Sequence, residues 1–180
     1  MALKEITIFS DGACLGNPGP GGYGAVLIYR GHRRELAGGF SRTTNNRMEL
    51  IAAISGLAAL REPCSVTLFS DSEYVVNGMT KGWARRWRAR GWRRENNKLA
   101  LNWDLWDQLL QLTEKHRVTF QWVKGHAGHT ENERCDQLAV EAAQGSSLAI
   151  DCGFESPQPP AANKAMETDA ARRCGSSASR

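Results

Sequence analysis

Four carboxylates stand where an acid has no simple structural reason to be. Asp11 ends the β-branched and aromatic run EITIFSD just before a glycine-rich turn, and Asp71 ends SVTLFSD in the same way. In α/β sheets ligands gather at the ends of strands. Glu49 sits between Met48 and Leu50, on the flank of a helical pattern opposite Ile51 and Ile54. Asp136 lies one turn into a later helical pattern, after a loop that carries His126. If these four groups converge, they repel one another and their pKa values rise. A divalent cation removes that penalty, and hard oxygen ligands suit Mg²⁺ or Mn²⁺ rather than zinc. Two such ions, roughly 3.5–4 Å apart, can activate a water and stabilise the leaving oxygen of a phosphodiester. Taken singly, each acid is more simply a cap or a surface group. Their meaning depends on a fold that joins them.

The surrounding pattern predicts such a fold. Residues 5–11 alternate as a strand, 15–24 are too rich in Gly and Pro for a regular element, and GAVLIYR and RRELAGGFSR follow as two further strands. The short turn at Gly31 and His32 makes the three an antiparallel meander. From Asn46 to Arg61 the apolar residues Met48, Ile51, Ile54, Ala58 and Leu60 recur at helical spacing, with Asn45 or Asn46 as the expected N-cap. A strand over 65–71, a short helix capped by Ser72, a helix over 102–116, a strand over 118–123 and a last helix over 131–143 complete the series. The expected architecture is α/β: a five-stranded mixed sheet, three strands antiparallel and two parallel, with helices on both faces.

Charge is concentrated in one place. The chain of 180 residues has a formal net charge of +4, yet the stretch from Lys81 to Lys98 holds eight basic residues against one acid, Glu95. Trp83, Trp87 and Trp92 are interleaved with them. Cations beside planar rings point to a polyanion that can also be stacked upon, against the plainer reading of a solvated face over core tryptophans. No apolar run reaches the roughly 18 residues of a membrane span. Lys4 and Glu5 interrupt the place where a signal peptide needs an apolar core. The five cysteines are odd in number and never form a C-x-x-C pair, which fits free thiols in a reducing, cytoplasmic setting. After Gly145 large apolar residues become scarce, so residues 1–145 are expected as one catalytic domain and 146–180 as a flexible tail, with Leu148, Ile150 and Phe154 able to dock on a sheet edge.

Four segments, TIFSDGACLGNPGPGGYGAVL, TTNNRMELIAAISGL, FSDSEYV and WVKGHAGHTENERCDQLA, closely resemble type I ribonuclease H of bacteria, in the same order and over about residues 4–143. The resemblance implies cleavage of the RNA strand of RNA–DNA hybrids, without sequence preference, by two Mg²⁺ ions or with Mn²⁺ in their place. It puts the metal-binding carboxylates on Asp11, Glu49, Asp71 and Asp136 and the mobile-loop histidine on His126. Contacts to the RNA 2′-hydroxyls fall on Cys14, Asn45, Asn46, Glu49 and Glu73, and a pocket for a DNA phosphate on Asn17, Arg42 and Thr44. Residues 81–98 correspond to the family's basic protrusion, where Trp83 and Trp87 border the DNA strand; from the charge of this segment, Arg85, Arg86 and Arg88 are expected to track phosphates.

Two positions depart from the family pattern: Glu73 stands in place of a glutamine, and Gly82 is a one-residue insertion before Trp83. Two rival readings are a DNA-cutting member of the same fold and a hybrid-binding module without catalysis. The TTNNRMEL and KGHAGHTENE segments oppose the first, and the four acids oppose the second. The hybrid duplex is the expected partner; a monomer, no membrane and no obligate protein partner are also expected.

Overall fold

In the computed structural model of the chain, residues 2–160 are described. Strands β1 (Lys4–Cys14), β2 (Gly19–Tyr29), β3 (His32–Thr43), β4 (Cys64–Ser70) and β5 (Arg117–Trp122) form one sheet in the order β3-β2-β1-β4-β5. The first three pair antiparallel, and β4 and β5 join parallel to β1 and β4 in turn. This is the expected mixed sheet, with β1 at its centre. Helices α1 (Asn45–Ala58), α2 (Glu73–Thr80), α3 (Trp83–Ala89), α4 (Trp103–Lys115), α5 (Thr130–Ala143) and the short α6 (Cys152–Glu155) complete the fold.

The alternation of β1 divides the core. Ile6 and Ile8 join Leu50, Leu57, Leu68 and Trp106 on the face covered by α1 and α4. Phe9 turns to the other face, where Val26 meets Cys135 and Leu138 of α5. Two local expectations differ from the structure. The glycine-rich stretch from Gly19 to Gly24 is not a loop but the first half of β2. Its glycines serve close approach: a Cβ on Gly24 would fall 2.3 Å from the Cys135 carbonyl oxygen, so only a bare backbone lets α5 lie this near the sheet. In α1 the most deeply buried residues are Met48, Leu50, Ala52, Ala53, Gly56 and Leu57, while Ile51 and Ile54 are half-buried and Ala58 is exposed. Small residues seat the helix on the sheet, and a pattern read from large apolar residues picks the neighbouring stripe. The N-cap is Thr44, whose side chain accepts from the Arg47 N–H, rather than Asn45 or Asn46.

The expected flexible tail also differs in its described part. Ala149 hydrogen-bonds in both directions with β3, its N–H to the Gly39 carbonyl at 2.9 Å and its carbonyl from the Ser41 N–H at 2.9 Å. Asp151 is buried and accepts from Arg47 Nε at 2.7 Å, from Arg47 Nη2 at 2.8 Å and from the Thr43 hydroxyl at 2.6 Å. One buried ion pair and two strand-like bonds hold this arm where apolar content alone would not. Residues 161–180 of the expected tail lie outside the described residues.

Candidate active site

The register of the two central strands sets the site. Ser10 of β1 is paired with Ser70 of β4, so Asp11 and Asp71 occupy adjacent positions at the end of a parallel pair. Glu49 reaches them from the first turns of α1. The three carboxylates each offer an oxygen within 4.8 Å of the other two. Asp11 and Glu49 are 5% and 6% exposed, and Asp71 is half-buried. Asp136, half-buried on α5, stands outside this tight group, yet its charge bears on Asp11.

The electrostatics are unfavourable as they stand. Burial pushes the Asp11 carboxyl up to about 8, helped by the charges of Asp71 and Asp136 and opposed by a hydrogen bond from the Gly12 N–H. Burial likewise holds Glu49 well above the usual carboxylate range, with Asp11 and Asp71 adding repulsion. Asn45 Nδ2 donates to Glu49 Oε1 at 3.5 Å, whereas Oε2 is buried with no partner. Among the described residues no lysine, arginine or histidine forms an ion pair with Asp11, Glu49, Asp71 or Asp136. Converging hard oxygens, one of them orphaned, fit divalent cations that favour oxygen ligands.

Two residues not singled out in the sequence hold Asp71. Trp122 Nε1 donates to its carbonyl at 3.0 Å, and Asn132 Nδ2 donates to Oδ2 at 3.3 Å. Asn132 is 2% exposed, and a polar residue at a core-facing position of the last helix was the signal that could have found it. The loop between β5 and α5 runs beside the site: a Cβ on Gly125 would fall 2.5 Å from Asp71 Oδ2. His126 follows at once, exposed, with a left-handed φ of 52°. His129 is the exposed N-cap residue of α5 and makes no side-chain cap bond.

The residues expected at the substrate surface fall into three groups. Of Cys14, Asn45, Asn46 and Glu73, Asn45 touches the acidic cluster through Glu49; Cys14 directs its thiol to the Gly19 and Thr43 carbonyls at 3.5 Å, Asn46 follows Asn45 in the first turn of α1, and Glu73 is exposed in the first turn of α2. Asn17 and Thr44 lie at the start of α1, where Asn17 Oδ1 accepts from the Asn45 N–H at 3.2 Å; Arg42 stands at the end of β3.

The third group is the basic segment, which forms α3 and a loop. Here the tryptophans divide. Trp92 is 6% exposed and belongs to the core, whereas Trp83 and Trp87 are half-buried, 6.5 Å apart, with Trp87 edge-on to Trp106. Trp83 and Trp87 line a cavity of about 510 Å³ together with Arg86, Arg90 and Arg94; the last two belong to the basic stretch but were not singled out as contacts. Arg88 is engaged with Glu114 at 2.6 Å, and Arg86 donates to the Lys81 carbonyl at 2.8 Å. Gly82, expected as an insertion, takes a left-handed φ of 70° just before α3.

A family model described as RNase H matches residues 3–144. The Ribonuclease H of Desulforamulus reducens is 64% identical over 149 residues, which are 83% of this chain and 94% of that protein. Among solved structures, LC9-RNase H1, described as a type 1 RNase H with the type 2 active-site motif, superposes with a TM-score of 0.73 at 35% identity, over 86% of this chain and 81% of its own. LC11-RNase H1, solved in complex with an RNA/DNA hybrid, gives 0.59 at 25% identity, over 77% and 96%.

Proposed function

The chain belongs to the RNase H family, and from that premise we propose how its own residues divide the work of a metal-dependent endonuclease that hydrolyses the RNA strand of RNA–DNA hybrids. The observation that carries the assignment is the largely buried group of Asp11, Glu49 and Asp71, with oxygens within 4.8 Å of one another and no cation among the described residues paired with them. Two Mg²⁺ ions held there would supply an activated water and stabilise the leaving 3′ oxygen. Asp11, on the central strand, would hold both ions; Glu49 and Asp71 would help to hold the one that activates the water, and Asp136 the one that stabilises the leaving oxygen. Mn²⁺ satisfies the same oxygen donors.

His126 stands on a loop whose backbone passes beside Asp71, exposed and free to move, so it serves proton transfer or product release. Cys14, Asn45, Asn46, Glu49 and Glu73 read the 2′-hydroxyls that distinguish RNA from DNA. Asn17, Arg42 and Thr44 receive a DNA-strand phosphate beside the start of α1, where the positive end of the helix favours an anion. Trp83, Trp87, Arg85, Arg86 and Arg88 border the duplex further along. Action as a monomer in the cytoplasm is part of this reading; no described helix is long and apolar enough to cross a membrane. The catalytic domain extends past residue 145 to include the docked arm.

The test is direct. RNA–DNA, DNA–DNA and RNA–RNA duplexes of one sequence are incubated with Mg²⁺ and with chelator. Cleavage of the hybrid alone, lost in chelator, is expected; cleavage of DNA duplex would move the chain to the DNA-cutting branch of the fold. An Asp136→Asn variant that cleaved at the normal rate would remove Asp136 from the site.

A further inference from the structure

Arg42 is held in an unusual way for a surface arginine. Its side chain is 57% exposed, and among the described residues its guanidinium makes no hydrogen bond within 3.5 Å. It lies over the Phe154 ring, 5.4 Å from the centroid, and Glu155 Oε2 approaches Nη1 at 3.7 Å, beyond hydrogen-bond reach. Both neighbours come from α6, more than a hundred positions along the chain. They are not there by accident of a loose end, because the arm is pinned through Ala149 on β3 and through Asp151 on Arg47 and Thr43. Asn17 and Thr44 line a cavity of about 760 Å³ that is also lined by Cys152 and Phe154. Asn17 and Thr44 thus share a cavity with the arm, and Arg42 meets the arm at Phe154 and Glu155.

A free arginine side chain surrenders rotamer freedom when it grips a phosphate. A flat ring beneath the guanidinium removes part of that freedom beforehand while leaving all its N–H groups unspent. Glu155 adds attraction without consuming a donor, and its negative charge also opposes an arriving phosphate, so its net effect on binding is small. The ring has no such opposing action.

We propose that Phe154 is a positioning residue for substrate binding: from the docked C-terminal arm it holds the Arg42 guanidinium plane so that its N–H edge meets a phosphate of the DNA strand. The proposal rests on the reading of Arg42 as a phosphate contact, and its test separates the two. Steady-state kinetics on an RNA–DNA hybrid are measured for Arg42→Ala, Phe154→Leu, Phe154→Tyr and the Arg42→Ala/Phe154→Leu pair, with melting temperatures alongside. Leucine keeps an apolar wall for the cavity but offers no ring, so stability is retained while KM rises about two- to fivefold with kcat unchanged. Tyrosine restores the parent KM. In the Arg42→Ala background Phe154→Leu has no further effect on KM. The log–log salt dependence of binding loses roughly 0.7–0.9 in slope with Arg42→Ala, and part of that with Phe154→Leu. If Arg42→Ala raises KM while Phe154→Leu leaves it unchanged, or if the two effects simply add, the positioning role is overturned and the phosphate contact stands. If Arg42→Ala leaves both KM and slope unchanged, the phosphate contact itself falls.

Discussion

Arg47 and Glu49 lie two residues apart on α1, and both are almost wholly buried, at 3% and 6% exposure. Their surroundings are opposite. Arg47 donates to both oxygens of Asp104, at 2.9 and 2.7 Å, and to both oxygens of Asp151, at 2.8 and 2.7 Å. Burial works against its charge, and the hydrogen bonds to Asp104 and Asp151 more than offset that. Glu49 faces two more acids and keeps one oxygen without a partner. A buried charge answered by the protein is part of the structure, whereas a buried charge left unanswered is waiting for something the protein does not contain. One helix carries both, so it couples the sheet centre to α4 and the C-terminal arm on one side and to the site on the other.

The sharpest way to break this contrast is at its unanswered end. Asp11→Asn removes a charge that the substrate does not need but the cations do. Cleavage should fall by on the order of a hundred- to a thousandfold while hybrid binding is kept, the scale on which losing one group that stabilises developing charge typically acts. In chelator the variant should melt higher than the parent, because one of several repelling carboxylates is gone. A lower melting temperature together with lost cleavage would mean that Asp11 is needed for folding instead.

At the answered end the effect should fall on stability. Asp151→Ala leaves Arg47 half-paired and releases the arm, and breaking a buried pair in this way costs about 3–5 kcal/mol. For a domain of this size that corresponds to a fall in Tm on the order of 10 °C. The turnover rate at saturating hybrid, measured well below the transition, should stay within about twofold, because no atom of Arg47 is shared with the acidic cluster. Truncation after Gly145 removes Asp151 as well and should match the point variant, whereas truncation after Ser156 should not.

Changing pH tests the contrast without mutation. Asp11 is raised to about 8 in the folded protein, against about 3.9 for an unfolded aspartate. Between these values the native state holds a proton that the unfolded chain has released. The metal-free protein should therefore be most stable below about pH 4 as regards this group, and lose stability as pH climbs toward 8. For a single proton the slope is at most about 1.4 kcal/mol per pH unit. Saturating Mg²⁺ should flatten the dependence by holding the charged form. Urea unfolding from pH 5 to 8, with chelator and with Mg²⁺, reads both slopes; identical slopes would separate the cluster from metal binding.

The same distinction extends to the surface of α3. Arg88 is answered by Glu114, while Arg85 has no ion pair or side-chain hydrogen bond among the described residues. Arg85→Ala should reduce the salt slope of hybrid binding by roughly 0.7–0.9, and Arg88→Ala by clearly less. Equal slopes would show that the Glu114 pair opens on binding.

Strand-end acids and the order of elements were legible because alternation and helical spacing report directly on which backbone forms. Asp11 and Asp71 could be paired in advance for that reason. Arg47 could not: nothing in TTNNRMEL shows that its partners lie 57 and 104 positions away, since long-range ion pairs leave no periodic trace. The glycines of β2 misled for a related reason. Alone they read as a loop, and only the carbonyls of α5 lying against them show why a strand here must be bare. The arm was legible only as apolar residues able to dock on a sheet edge; what fixes it, one buried aspartate and two backbone bonds, escaped notice because composition measures only apolar content.

The smallest expected effect concerns Glu73, an acid answered by neither cation nor hydrogen bond among the described residues. It occupies the first turn of α2, where the partial positive charge of the helix end favours a carboxylate by about 0.3–1 kcal/mol. It is also exposed two residues after Asp71, where a carboxylate can accept from a 2′-hydroxyl but cannot donate to an acceptor, and stands close to incoming phosphates. Glu73→Gln should therefore move two quantities in opposite directions. Thermal stability should fall by about 1–3 °C as the helix loses its anionic first turn. KM for the hybrid should fall about two- to fivefold at low salt with kcat unchanged, since relief of one exposed like-charge contact is worth under about 1 kcal/mol. At high salt the gain should shrink, because screening weakens the repulsion in the parent as well. A gain that persisted at high salt would come from the new amide donor rather than from the lost charge. A KM unchanged at every salt concentration would place the bound duplex away from the N-terminus of α2.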